Sequence, residues 1–174
     1  MKKYTLLLVL FLFIGFSAFA IAEEIAWQIE SEGYVVRFDA PKAKGVFEKM
    51  NGTISFDKKD LPTSNFKISI DVNSIKTGNG LKNAHARGVN YFNSQVYPTI
   101  DFESRSIDRK GGKYIVVGDL TMAGATQEFT IPFVFKQRGK KGTFESTFDI
   151  NPMDFGLDKM GNKVSLEIRV PVVH

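Results

Sequence analysis

An all-β fold of antiparallel strands is the class this sequence predicts, and three observations predict it. Apolar and polar residues alternate with period two over eight separate segments. Short breaks with turn chemistry part several of them. Only one long connection, residues 73–98, interrupts the succession. Strands that are apolar on one side must hide those sides together, in a two-sheet sandwich or in a barrel closed on itself.

The alternation is clearest over residues 64–72, where Phe66, Ile68, Ile70 and Val72 share one face and Asn65, Lys67, Ser69 and Asp71 the other. Before it come residues 34–39, with Val36 and Phe38 on one face, and 52–57, with Ile54 and Phe56. After it come 99–107 (Ile100, Phe102), 114–122 (Tyr114, Val116, Leu120, Met122) and 127–136 (Phe129, Ile131, Phe133, Phe135). Residues 143–151 (Phe144, Phe148, Ile150) and 163–173 (Val164, Leu166, Ile168, Val170, Val172) complete eight strands. Breaks such as Lys110-Gly111-Gly112 and Ala123-Gly124-Ala125-Thr126 are short enough to join antiparallel neighbours. Within 73–98, residues 81–87 predict a helical turn or two, and a second helical insertion is expected within 41–50.

Residues 1–22 read as an export signal. Lys2 and Lys3 supply the positive start, residues 6–16 are an apolar run too short to span a bilayer, and Ala18-Phe19-Ala20 or Ala20-Ile21-Ala22 supplies the cleavage site. The domain is then 23–174, located in the periplasm, and the absence of Cys at the cleavage point excludes a lipoprotein anchor. The formal charge of +4 includes both lysines of the signal, so the domain is near +2 with its charges interspersed, which argues against a nucleic-acid partner. Without cysteine there is no disulfide, thiol catalysis or thiolate metal site, and two histidines cannot build a His-rich metal cluster.

Nine inner-face rings, Phe38, Phe56, Phe66, Phe102, Phe129, Phe133, Phe135, Phe144 and Phe148, make the interior unusually aromatic. Such walls suit a long hydrocarbon, but pattern alone favours a filled core, because most apolar strand faces are core. Alternation also admits an outer-membrane barrel. Mid-strand charges on the polar faces (Lys67, Asp101, Glu103, Asp119, Glu145, Glu167) and the lack of two aromatic girdles weigh against that arrangement.

A set of blocks in fixed order adds what periodicity cannot. Trp27-Gln28-Ile29, Met50-Asn51-Gly52-Thr53, Asp71-Val72-Asn73-Ser74-Ile75, Tyr91-Phe92-Asn93, Tyr97-Pro98-Thr99-Ile100-Asp101-Phe102-Glu103-Ser104, Gly118-Asp119-Leu120-Thr121 and Asp154-Phe155-Gly156 fall in a fixed order, within a likeness that runs from Trp27 to Val173. In that order they resemble the YceI-like family of bacterial envelope proteins, the polyisoprenoid-binding, lipocalin-like barrels. The resemblance implies an eight-stranded antiparallel lipocalin-like β-barrel in the periplasm, binding, storing or transporting a polyprenyl or quinone-like chain in its lumen without catalysis. It implies no cofactor beyond that isoprenoid ligand, no stable membrane insertion, and leaves homodimerisation open. The ligand-binding residues then expected are Phe38, Met50, Phe66, Ile68, Tyr91, Phe92, Ile100, Phe102, Leu120, Met122, Phe133, Phe135, Phe144, Phe148 and Phe155. Two stretches depart from the family pattern, Asn83-Ala84-His85-Ala86-Arg87 and Asn151-Pro152, and both lie in loops, where they bear on head-group contacts rather than on the barrel.

Two other function classes stand beside the carrier, a lipid-dependent enzyme and a filled-core barrel acting as a protein-binding partner. No Gly-x-Ser-x-Gly elbow frames a nucleophile, and Asp154-Phe155-Gly156 spells the kinase tripeptide without the other kinase signatures, so its expected role is a tight turn. His85 and Arg87 are expected either to touch a polar head at the barrel mouth or to belong to a solvated helical turn.

Overall fold

Eleven strands form eight staves of an up-and-down barrel in this computed structural model, which describes residues 25–174. The export signal expected over 1–22 lies outside the described residues. The strands are β1 (Ala26–Ile29), β2 (Val35–Ala40), β3 (Ala43–Phe47), β4 (Met50–Ser55), β5 (Asn65–Asp71), β6 (Ile75–Lys76), β7 (Thr99–Lys110), β8 (Lys113–Met122), β9 (Ala125–Arg138), β10 (Lys141–Ile150) and β11 (Val164–Val173). One helix, α1 (Gly80–Arg87), lies in the long connection before β7. It begins where Asn79 caps it, the side-chain oxygen accepting from the Lys82 N–H at 3.1 Å.

The first three staves are broken strands. β1 and β2 lie end to end along β11, pairing with it through Gln28↔Val173 and Arg37↔Glu167, and β1 closes the barrel. β3 and β4 make the second stave, against β2 and β1 respectively, and β5 and β6 make the third, against β4 and β3. The breaks, at 30–34, 48–49 and 72–74, are tied by two hydroxyls. The Tyr34 hydroxyl donates to the Glu48 carbonyl (2.6 Å) and accepts from the Met50 N–H (3.2 Å). Buried Ser74 Oγ accepts from the N–H groups of Glu48 and Lys49 (3.1 and 3.0 Å) and donates to the Asp71 carbonyl (2.6 Å). Backbone groups lost from the ladder thus recover partners, as buried polar groups must.

The helical insertion expected within 41–50 is a strand instead. Pro41 and Lys42 are a two-residue turn into β3, whose inward positions are Ala43, Gly45 and Phe47 opposite Ala40, Phe38 and Val36. Two of those three are small, which conceals the alternation. Gly45 is small because the Lys76 backbone carbonyl and the Phe38 ring both crowd it: a Cβ there would overlap the carbonyl oxygen and stand 2.8 Å from Phe38 Cζ. The tight turn expected at 154–156 is present, a 3-10 turn Pro152–Phe155 closed by Gly156 at φ 72°.

Apolar faces point inward and charged faces outward. The outer wall carries cross-strand ion pairs, among them Arg37–Glu167, Lys67–Glu103, and Arg105 with both Asp119 and Glu128. On the same wall hydrogen bonds from Lys163 and Ser165 hold the Asp149 carboxyl below the usual range. Exposed pairs of this kind add little stability. Their placement is the reverse of the apolar outer band of a membrane-spanning barrel. No helix among the described residues is long and apolar enough to cross a membrane.

Replacing Ser74 by Ala removes the acceptor of the Lys49 N–H and one of the two acceptors of the Glu48 N–H, which keeps the Ser74 carbonyl at 3.2 Å, and is expected to cost about 1–3 kcal/mol. Urea denaturation checks this, and an unchanged midpoint would mean that Ser74 does not hold the breaks together.

Candidate functional site: an apolar cavity behind an aromatic plug

Phe56, just beyond the end of β4, is 1% exposed and sits among five rings: Tyr114 and Phe135 at 5.1 Å, Phe144 at 5.5 Å, Phe133 at 5.6 Å and Phe66 at 6.0 Å between centroids. Four of these contacts are edge-on, the arrangement the ring quadrupoles favour. Trp27 adds an edge contact to Phe135 at 5.0 Å, and its indole N–H donates to the Phe56 carbonyl at 2.9 Å. These rings fill the barrel at the end that carries the connections 56–64, 111–112 and 139–140.

Toward the other end the lumen opens into a cavity of about 190 Å³. One water needs roughly 10–15 Å³ on this measure, so the space is no packing defect. Its walls are Phe, Ile, Leu, Val, Met, Ala and Pro side chains, with one hydroxyl residue, Ser146. That hydroxyl is turned away to the Pro132 carbonyl, to which it donates at 2.5 Å. The walls hold no acid, base, histidine or tyrosine. Connections 77–98 and 151–163 cap this end, contributing Phe92 from the first and Pro152 and Met160 from the second. Phe92 is 4% exposed and meets the Phe47 ring at 6.1 Å.

The wall is paired unevenly beside the cavity. β9 and β10 are in register only from Lys141↔Arg138 to Glu145↔Val134. Beyond that, the seam is bridged by the Ser146 to Pro132 bond, the Phe129 and Phe148 rings at 5.5 Å, and a bond from the Gln127 amide to the Asp154 carbonyl at 3.0 Å. Pro132 has no N–H to offer a ladder.

Twelve of the fifteen expected residues face this one cavity: Phe38, Met50, Phe66, Ile68, Phe92, Ile100, Phe102, Leu120, Met122, Phe133, Phe144 and Phe148. Three do not. Phe135 belongs to the plug, packed on Phe144 at 4.4 Å; Phe155 is buried in its 3-10 turn; and Tyr91 is half-buried beside Phe92 without facing the cavity. His85 is exposed on α1, and the Arg87 Nε donates to the Asn83 carbonyl of the same helix, so neither reaches the lumen and both fit the solvated helical turn. Phe47, Pro152 and Met160 line the cavity without having been expected there. Phe47 was hidden in the segment read as helical, and nothing in the local pattern of 151–163 signals an inward Met160.

An antiparallel eight-stave barrel closed around an apolar cavity is of the lipocalin-like class. Residues 27–172 match the YceI-like domain, and the chain belongs to the YceI-like family. It is 29% identical over 117 residues to a UPF0312 protein of Photorhabdus laumondii, covering 64% of this chain and 61% of that one. With Protein YceI of Escherichia coli O157:H7 it shares 28% over 119 residues, covering 65% and 62%. The chain thus spans about three-fifths of the length of these curated relatives. Among solved structures it is similar to Burkholderia cenocepacia BcnA, with a TM-score of 0.77 at 23% identity over 83% of this chain and 99% of that one. A polyisoprenoid binding domain from Saccharophagus degradans implicated in plant cell wall breakdown gives a TM-score of 0.69 at 13% identity, over 86% and 98%. At these identities the two structures establish the fold.

Hydrogen exchange should read the uneven wall directly. Amides of β9 that point to β10 within 127–131 are expected to exchange faster than those within 134–138, which carry the ladder. Uniform protection along β9 would mean the seam is closed in solution.

Proposed function

We propose that this protein binds a long isoprenoid chain, the tail of a polyprenyl lipid or isoprenoid quinone, in the barrel lumen, and carries or stores it in the bacterial periplasm without chemical change. The observation that carries the reading is the cavity behind the Phe56 plug, whose walls offer carbon and no free hydrogen-bonding group. Membership of the YceI-like family supports it, as does likeness in fold to a domain described as polyisoprenoid binding.

The physical driving force is removal of hydrocarbon from water. Each buried methylene contributes about 0.8 kcal/mol, so a tail of many carbons binds well even after its ordering cost is subtracted. Such recognition needs area, not reactive groups, and a wall without titratable side chains suits carriage better than catalysis. Of the expected ligand contacts, the twelve that face the cavity are retained in this proposal. Phe135 and Phe155 are assigned to structure instead.

Mass spectrometry of organic extracts from natively purified protein is the direct test, with an isoprenoid as the expected species. Delipidated protein should melt below the loaded form, since a ligand that binds only the folded state raises its stability by mass action. Phe148→Ala should lower the lipid recovered with little loss of stability in the loaded form, because a flexible tail can move into the space. Phe135→Ala should instead cost about 3–5 kcal/mol with or without lipid, as expected for a truncated core ring. Equal melting of loaded and delipidated protein would overturn the lumen as a binding site.

Export is a separate part of the proposal, resting on the charged start, short apolar run and Ala-x-Ala site. Intact mass of the periplasmic protein should place its first residue at Ile21 or Glu23. Recovery of the full-length chain in the membrane fraction would sink it.

A further inference from the structure

Five large apolar side chains stand in solvent among the described residues: Leu81, Val89, Val96, Tyr97 and Met153, between 39% and 77% exposed. Nothing in their sequence positions requires them to be neighbours, yet all five lie on the two connections that cap the cavity end, four on 77–98 and Met153 on 151–163. Phe92, Pro152 and Met160 of those same connections face the cavity. The cap is therefore apolar on both sides, inward to the lumen and outward to solvent.

The 77–98 side of this cap is positive. Connection 77–98 holds Lys82 and Arg87 and no acid, and the adjoining turn adds Lys42; connection 151–163 is not positive, since Asp154 and Asp158 stand against Lys159 and Lys163, and Lys163 is paired with Asp149 at 2.8 Å. The Lys82 ammonium donates to the Lys42 carbonyl at 3.1 Å, which brings α1 beside that turn. Single apolar side chains standing among cations on protruding connections match the headgroup layer of an anionic bilayer, where apolar tips sink below the phosphates and the cations pair with them.

We propose that the cavity end of the barrel docks on the surface of an anionic phospholipid bilayer, inserting Leu81, Val89, Val96, Tyr97 and Met153 so that the capping connections face the membrane. The inference rests on the lipid-binding reading, because an isoprenoid tail partitions into bilayers and must be exchanged there. The opposite end is also basic, with Arg109, Lys110, Arg138 and Lys140, but exposes no large apolar side chain among the described residues. Electrostatics alone would bring that end down. Insertion of apolar side chains selects the cavity end.

Vesicles of phosphatidylglycerol and phosphatidylethanolamine distinguish the two orientations. Co-sedimentation of the exported form should weaken about tenfold in the variant Leu81→Ser, Val89→Ser, Val96→Ser, Met153→Ser, and only about twofold or less in Arg109→Gln, Lys110→Gln, Arg138→Gln, Lys140→Gln. The single native tryptophan provides a second measurement that does not depend on the multiple variant folding. Trp27 is buried at the plug end, so lipids brominated in the tail should leave wild-type fluorescence unquenched and should quench Val89→Trp. Absence of vesicle binding, an unquenched Val89→Trp, or binding lost only in the basic-end variant overturns the docking proposal. The isoprenoid recovered by mass spectrometry reports on the lumen separately: lipid present with no vesicle binding refutes docking alone, and docking with no isoprenoid in the lumen refutes the lipid-binding reading on which it rests.

Discussion

The contact of Phe56 with five other rings is the constraint on which the remainder of this barrel depends. An eight-stranded barrel is just wide enough for its own side chains to fill or for one ligand to occupy, and here one half is filled by its own rings while the other keeps an apolar cavity. The rings gather at one end because Trp27, Phe56, Tyr114, Phe133, Phe135 and Phe144 arrive from five separate staves. Density there supplies the stability that a cysteine-free chain cannot take from disulfides. It also relieves the other half of any need to fill its own interior.

The open half coincides with the broken staves and the unpaired seam. Breaks at 30–34, 48–49 and 72–74 bend three staves, and between β9 and β10 the ladder ends at Val134. A lumen lined with carbon needs a wall whose backbone polar groups are accounted for, and side chains do that work: Tyr34 and Ser74 at the breaks, Ser146 at the seam. Cavity and irregular wall are thus two aspects of one arrangement, in which regular pairing is given up without leaving buried groups unsatisfied.

Period-two alternation carried the larger part of the fold, because strands that are half inside and half outside must alternate. It failed where the inward residue is small. Ala43 and Gly45 show no apolar stripe, and the strand they form was legible only as an Ala- and Gly-containing stretch open to a helical reading. Short pieces such as β1 and β6 were equally unreadable, since two to four residues hold no period. For the site, alternation identified the inward faces but not the depth along the barrel, so Phe133, Phe135, Phe144 and Phe148 looked equivalent although Phe135 packs in the plug and Phe148 lines the cavity. The roles of Ser74 and Ser146 were invisible, because a serine that satisfies a distant backbone group has no signature in its own neighbourhood.

Inward glycines recur under aromatic rings. A Cβ at Gly45 would stand 2.8 Å from the Phe38 ring, at Gly118 2.8 Å from the Phe102 ring, and at Gly142 2.5 Å from the Phe135 ring, and each position also presses on backbone or a second side chain. The bore of the tube is consequently set in two ways. At Phe38 and Phe102 it is locked, since the ring sits in a notch that any side chain would destroy. At Leu120 and Met122, which rest on no such notch, girth can be exchanged methyl by methyl. Divergence in the thickness of the guest would therefore be recorded at the aliphatic positions, while the phenylalanine and glycine pairs stay fixed as the gauge.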